Sequence, residues 1–107
     1  MNPVPDPFNA TTVGNALHLL ALGNLVAGTV AAQRVFLGEH LDRAKHAVVL
    51  DLGGAELVDS LGITLVVGLY KSCQERKLDF SVEGVNAEVM RLFKFFSLND
   101  VFQIRGR

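Results

Sequence analysis

The fold is decided by two neighbouring stretches of sequence, Ala47-Val48-Val49-Leu50-Asp51-Leu52 and Val58-Asp59-Ser60-Leu61-Gly62-Ile63. The first is a compact β-branched run of the kind found in strands that are buried on both faces. Gly53-Gly54 ends this run, and apolar residues then recur at helical spacing from residue 60 to about 76. The pattern predicts a buried strand, a turn, and a central helix that is mostly buried.

The sequence on either side continues the alternation of strands and helices. A short apolar run predicts a strand at 16–22, and the alternation at 78–82 predicts an edge or near-edge strand. A helix at 27–41 would bury Val26, Val30, Leu37 and Leu41, and a helix at 86–96 would bury Val89, Leu92, Phe93 and Phe96. Asn86 suits the N-cap of the latter helix, and residues 101–104 could close the sheet. This order predicts a single α/β domain, with a mixed, largely parallel sheet of four to five strands and three to four helices packed against it.

The domain boundary is predicted from the distribution of proline. All three prolines lie in the first seven residues of the 107-residue chain. Because proline interrupts helices and strands, we expect residues 1–13 to be a loose leader and residues 14–107 to form the domain. The leader lacks the basic residues and apolar core of a secretory signal.

Composition argues against several classes of function. With a net charge of −1, the chain lacks the basic field that supplies most nucleic-acid affinity, so we expect no nucleic-acid partner. The single Cys73 and the scattered His18, His40 and His46 predict no metal site and a reducing, cytoplasmic location. The most apolar stretch, residues 16–32, is interrupted by polar residues and glycines, so we expect no membrane-spanning segment.

Ser60 is the residue on which the functional hypothesis centres. In open α/β sheets the functional crevice lies beyond the carboxyl ends of the strands, where residues 52–60 are predicted. A phosphate on Ser60 would face free backbone N–H groups at a helix start, but a serine there can also be a simple N-cap. Asp59 has two interpretations as well, as a cap or as a carboxylate offered to a partner. Gly62 permits either close backbone approach by a partner or tight packing against the sheet.

An enzyme finds no support in the sequence. The carboxylates Asp51, Glu56 and Asp59 have no histidine or lysine near them in sequence, and no glycine motif that cradles phosphate is present. We therefore expect a protein that is not an enzyme and has no cofactor of its own.

The stretches at 48–52 and 58–63 closely resemble the STAS family, named for sulfate transporters and anti-sigma factor antagonists. The usual signature of that family at the second stretch is Asp-Ser-Ser-Gly, which Asp59, Ser60, Leu61 and Gly62 match except at Leu61. The similarity extends over roughly residues 16–104.

The resemblance implies a bacterial antagonist that binds an anti-sigma factor serine kinase and is switched by phosphorylation of Ser60. ATP and Mg would belong to that kinase, a separate phosphatase would reset the serine, and the chain would be a monomer or weak dimer. The implied partner-binding residues are Asn24, Val26, Asp59, Ser60, Leu61, Gly62 and Thr64.

Two departures from the family pattern leave a second hypothesis open. Leu61 replaces a serine, and Val26 replaces a residue that is often acidic. The alternative is a STAS docking subunit without phosphorylation, in a lipid-transport ABC system or a sensory complex. For that role Met90 and Phe95 could add an exposed apolar patch, or they could be covered by the terminal strand.

Overall fold

A computed structural model of the chain describes residues 5–107, which form one five-stranded sheet with three α-helices. Two short 3-10 helices, Leu41–Arg43 and Leu98–Asp100, follow the first and third α-helices. The α/β class and the predicted numbers of strands and helices are confirmed. The elements in chain order are β1 (Phe8–Val13), β2 (Ala16–Ala21), α1 (Val30–His40), β3 (Ala47–Asp51), α2 (Ser60–Glu75), β4 (Asp79–Val85), α3 (Ala87–Phe95) and β5 (Gln103–Gly106).

The strands lie in the sheet in the same order as in the sequence. β1 pairs antiparallel with β2, and β2, β3, β4 and β5 are successively parallel. Each parallel crossover therefore moves one strand in the same direction, and right-handed crossovers of this kind place their helices on one face of the sheet. The carboxyl ends of β2, β3 and β4 meet at one edge, and α2 begins beyond that edge.

The predicted leader boundary at residue 13 is wrong for the part of the leader that the structure describes. Residues 8–13 form β1, whose Phe8 is buried against the core and pairs with Ala21. Gly14, with φ of +61°, takes the first position of the two-residue turn into β2, where a left-handed backbone is needed. Residues 1–4 lie outside the described residues.

The prediction that β3 is buried on both faces is also wrong. Its side chains alternate, since Val48 and Leu50 are buried whereas Ala47, Val49 and Asp51 are partly exposed. The buried residues face the same side as Leu17 and Leu19 of β2, to which they are paired in register. The core therefore lies between one face of the sheet and the three helices, and β3 contributes to it from one side only.

The predicted sets of buried residues in α1 and α3 need correction. Gln33 and Phe36 of α1 are buried with Val30 and Leu37, whereas Val26 precedes the helix and is only partly buried. In α3, Val89 and Phe93 are buried. Leu92 is partly buried and Phe96 is exposed, since the helix ends at residue 95 and the chain turns away there.

Candidate functional site

Ser60 is the first residue of α2 and lies exposed at the carboxyl edge of the sheet. Among residues 5–107 its hydroxyl makes no hydrogen bond, and only its backbone oxygen is engaged, accepting from Thr64 Oγ1 at 3.0 Å. Ser60 is therefore not the N-cap. Its side chain is exposed and unengaged by the described residues, as the phosphorylation hypothesis requires.

Asp59 is the N-cap of α2 and uses both carboxylate oxygens within the chain. Oδ1 accepts from Gly62 N at 2.9 Å, and Oδ2 accepts from Ala27 N at 2.8 Å. The Gly62 and Ala27 amides stabilise the charged form, so the pKa of Asp59 is lowered from its ordinary value. The carboxylate thus caps the helix and also ties it to the segment that follows β2.

Gly62 packs against the chain itself. It is buried, and a Cβ atom added there would lie 2.0 Å from Leu25 O and 2.8 Å from Val58 Cγ1. Leu25 and Val58 form a parallel β-bridge, in which Leu25 N donates to Leu57 O and Asp59 N donates to Leu25 O. The close approach that Gly62 permits is therefore internal, and its role as a partner-binding residue stays a prediction.

Asn24 also works mainly within the chain. Its Oδ1 accepts from Glu56 N at 2.9 Å and from Leu57 N at 3.0 Å, and its backbone oxygen accepts from Thr29 Oγ1 and Gln33 Nε2. Gln33 is the one charged or polar side chain buried within residues 5–107, and it is satisfied because its Nε2 donates to Asn24 O and its Oε1 accepts from Thr29 Oγ1 at 3.3 Å. Asn24 therefore holds the loop that precedes Asp59 through its side-chain oxygen, and its contact with a partner stays a prediction.

The remaining predicted partner-binding residues lie on the surface around Ser60. Leu61 is 47% exposed, Thr64 lies exposed one helical turn beyond Ser60, and Val26 is partly buried in the segment that Asp59 holds. Ser60, Leu61 and Thr64 thus form an exposed patch on the first turn of α2, to which we refer as the Ser60 surface. It joins an apolar side chain to two hydroxyls at a helix N-terminus.

Sequence reasoning missed four residues that shape this edge of the sheet. Ala27 binds Asp59 through its amide, Leu57 is 55% exposed next to the site, and Glu56 and Arg107 form an ion pair at 3.3 Å. Asn86 was recognised as a helix cap, which its bond from Val89 N confirms, but its Nδ2 also donates to Glu56 O at 3.0 Å. No local pattern could have revealed these contacts, since they join residues about 30 or more positions apart.

Several side chains of types that act as nucleophiles, bases or metal ligands have structural surroundings instead. Cys73 is fully buried, and burial raises its pKa to about 11, which keeps it a thiol. His40 stacks on Phe36 and bonds to its carbonyl oxygen. Within residues 5–107, no histidine or lysine bonds to the Ser60 hydroxyl as an activating base would, and no group of three or more metal-ligating side chains is found.

The whole described fold beyond residue 7 matches one known family. Residues 8–107 match the STAS domain, and the match begins where β1 begins. The chain belongs to the STAS domain family. None of the helices in residues 5–107 combines the length and apolar character that crossing a membrane would require.

Part of this STAS domain is similar in sequence to a curated bacterial protein. It is 31% identical, over 66 residues, to a protein named anti-sigma-B factor antagonist from Listeria monocytogenes. The match covers 60% of this chain and 58% of that relative, so this chain matches less than two thirds of the relative's length.

Two solved structures share the fold at lower identity. An anti-sigma factor antagonist from Mycobacterium paratuberculosis superposes with a TM-score of 0.83 at 18% identity, covering 97% of this chain and 90% of that one. The anti-sigma factor antagonist SpoIIAA in its unphosphorylated form gives a TM-score of 0.69 at 14% identity, covering 94% and 87%. At these identities the likeness establishes the fold alone.

Proposed function

We propose that this STAS domain is an anti-sigma factor antagonist, which binds an anti-sigma factor serine kinase and is released from it when Ser60 is phosphorylated. The observation that carries the proposal is the exposed Ser60 hydroxyl at the start of α2, unengaged by residues 5–107. The name of the Listeria relative supports the same function. We further propose that the protein acts in the cytoplasm, is not an enzyme, and works as a monomer or weak dimer.

The physical basis of the switch is the charge that a phosphate would add at this place. Phosphorylation of Ser60 would add about 1.5 to 2 negative charges next to Asp59, whose lowered pKa keeps it ionised. Leu61, which is 47% exposed, gives a partner an apolar contact beside the same hydroxyl. An acidic partner surface docked on Leu61 would then be repelled by the phosphate. An apolar partner surface would have to desolvate the phosphate, at a cost in binding free energy.

In this scheme the chemistry belongs to the partners. The kinase would hold ATP and Mg and transfer the phosphoryl group to Ser60 Oγ, and a separate phosphatase would remove it. The STAS domain contributes an exposed acceptor and a surface that the kinase recognises. Positioning of this kind is what phosphoryl transfer requires of its acceptor.

The test is the mass of the protein, with a matched hydroxyl as control. Protein purified from its native host, and recombinant protein incubated with the host's anti-sigma kinases and Mg-ATP, are compared by intact-mass spectrometry. We expect one phosphate in the wild type and in Thr11→Val, and none in Ser60→Ala. Thr11 is the control because it carries an exposed hydroxyl on β1, outside the Ser60 surface. An active kinase that leaves Ser60 unmodified would refute the proposal.

The docking-subunit hypothesis remains the second candidate, favoured by one observation on α3. Phe95 is 80% exposed and Phe96 is also exposed, whereas Met90 is partly buried and packs against the core. If the protein is such a subunit, a transporter ATPase should copurify with wild type and Ser60→Ala equally and be lost with Phe95→Ser. Equal copurification with Phe95→Ser would contradict this role for α3.

A further inference from the structure

The loop of residues 53–58, which we call the rim loop, is held by side chains from three other parts of the chain. Asn24 accepts from the amides of Glu56 and Leu57, and Asn86 donates to Glu56 O. Arg107, which follows β5, supplies the third set of contacts. The rim loop leads directly into Asp59 and the Ser60 surface.

Arg107 holds the beginning of this loop through one guanidinium nitrogen. Its Nη2 lies within hydrogen-bonding distance of four oxygens, which its two hydrogens must share. Three are backbone oxygens that point towards the same place because the chain turns sharply after β3. The four oxygens are Gly53 O at 2.9 Å, Ala55 O at 3.3 Å, Glu56 Oε1 at 3.3 Å and Leu52 O at 3.5 Å.

The guanidinium is itself fixed by the neighbouring strand. Arg107 Nε donates to Gly84 O at 3.1 Å, and the backbone N of Arg107 donates to Val85 O at 3.1 Å. Gly84 has φ of +72° at the irregularity in β4, and a Cβ atom there would lie 2.3 Å from Asp51 Oδ1. The pairing of β4 with β5 is therefore irregular at the residue whose carbonyl, like the rim loop, bonds to Arg107.

The contacts require an arginine rather than any cation. A planar guanidinium can donate through Nε to one strand and through Nη2 to a loop at the same time, whereas an ammonium group is a single point on a flexible stem. The ion pair with Glu56 contributes little by itself, because the Glu56 side chain is 71% exposed and such pairs are screened by water. The bonds to backbone oxygens are the ones that fix the loop.

We propose that Arg107 is a positioning residue for partner recognition, which holds the rim loop so that Glu56 and Leu57 extend the Ser60 surface. This inference rests on the proposed function, since the partner is the protein that recognises Ser60. Leu57 is 55% exposed although its amide is bound by Asn24, so the loop displays an apolar side chain from a fixed backbone. A preformed contact of this kind lowers the ordering cost of binding.

Removing the guanidinium should loosen the rim loop without unfolding the domain. Leu52 O, Gly53 O and Ala55 O would then bond to water, and local opening would become more frequent. The amides of Glu56 and Leu57 should exchange hydrogen about fivefold faster, which corresponds to the loss of about one net hydrogen bond.

The experiment compares Arg107→Ala with Arg105→Ala and Arg107→Lys. Arg105 is the matched control, because it is an exposed arginine of β5 and its side chain forms no hydrogen bond or ion pair with the rim loop in the described structure. We expect faster exchange at Glu56 and Leu57 in Arg107→Ala, wild-type exchange in Arg105→Ala, and partial recovery in Arg107→Lys. Equal exchange in the two alanine variants would overturn the positioning role.

The second measurement separates recognition from stability. For phosphorylation of Ser60 by the kinase, KM for the Arg107→Ala protein should rise about fivefold or more with kcat unchanged, since a recognition contact is lost and the chemistry is not touched. An unchanged KM, with faster exchange, would overturn the proposed link to the partner. If wild type is never phosphorylated, the proposed function fails, whereas the exchange comparison still decides whether Arg107 holds the loop.

Discussion

The substitution Gly62→Ala tests the contact that joins α2 to the segment after β2. The added Cβ would lie 2.0 Å from Leu25 O, and real Cβ atoms essentially never approach closer than 3.0 Å, so the two segments must separate by about 1 Å. Overpacking of this kind costs about 1–3 kcal/mol. The separation also weakens the bonds from Leu25 N to Leu57 O and from Asp59 N to Leu25 O, worth about 1 kcal/mol each.

A gain in helix propensity offsets part of this loss, by up to about 1 kcal/mol when alanine replaces glycine inside a helix. We therefore expect the free energy of unfolding of Gly62→Ala to fall by about 2–4 kcal/mol. This corresponds to a midpoint of urea unfolding that is lower by roughly 1–2 M, measured by circular dichroism.

Gly68→Ala provides the control for this measurement. Gly68 lies in the same helix, and a Cβ atom there would meet nothing within 4 Å. Its substitution should leave stability unchanged or raise it by up to about 1 kcal/mol through propensity alone. If Gly62→Ala unfolds at the same urea concentration as Gly68→Ala, the close approach of Leu25 O to Gly62 is wrong. The bond from Asp59 N to Leu25 O would then be in doubt as well.

Two further predictions concern titratable groups. The pKa of Asp59 is lower folded than unfolded, so its charge stabilises the fold above pH 3.8 and this contribution is lost as the pH falls through the lower folded value. Asp59→Asn should therefore be less stable than wild type at pH 7, with a difference that narrows in acid; a constant difference between urea midpoints at pH 7 and pH 2.5 would contradict this. Cys73, whose pKa is raised to about 11 by burial, should react with Ellman's reagent at pH 8 at least about a hundredfold more slowly than in the urea-unfolded chain. Rapid reaction of the folded protein would show that α2 opens easily.

The elements that were predicted correctly are those whose signals are local. The helix predicted from residue 60 begins at Ser60, and Asn86 caps α3 through a bond from Val89 N. The residues that produce such signals lie within one or two turns of the same helix, so they can be recognised from one sequence alone. β1 was missed because its burial depends on pairing with β2, although Phe8 begins an alternating run and Gly14 suits a hairpin turn.

The candidate site divides in the same way between local and distant contacts. Asp59 and Ser60 could be predicted from the sequence because a helix start is a local feature. The contacts of the rim loop could not, since Asn24 bonds to an amide 32 positions away and Arg107 to a carbonyl 54 positions away. The family resemblance implied that Asn24 binds a partner, whereas its bonds to the rim loop depend on the tertiary fold.

The contacts around Ser60 also determine what kind of switch a phosphate could operate. Asp59 supplies the cap of α2, so a phosphate on Ser60 displaces no hydrogen bond within the described chain. The bridge between Leu25 and Val58 joins two buried residues, whereas Ser60 is exposed. Under the proposed function, phosphorylation should therefore change the free energy of binding far more than the free energy of unfolding. A switch that acts by refolding would instead change the free energy of unfolding more than the free energy of binding. In such a switch the charge of the phosphate would have to replace contacts that hold the unmodified fold together.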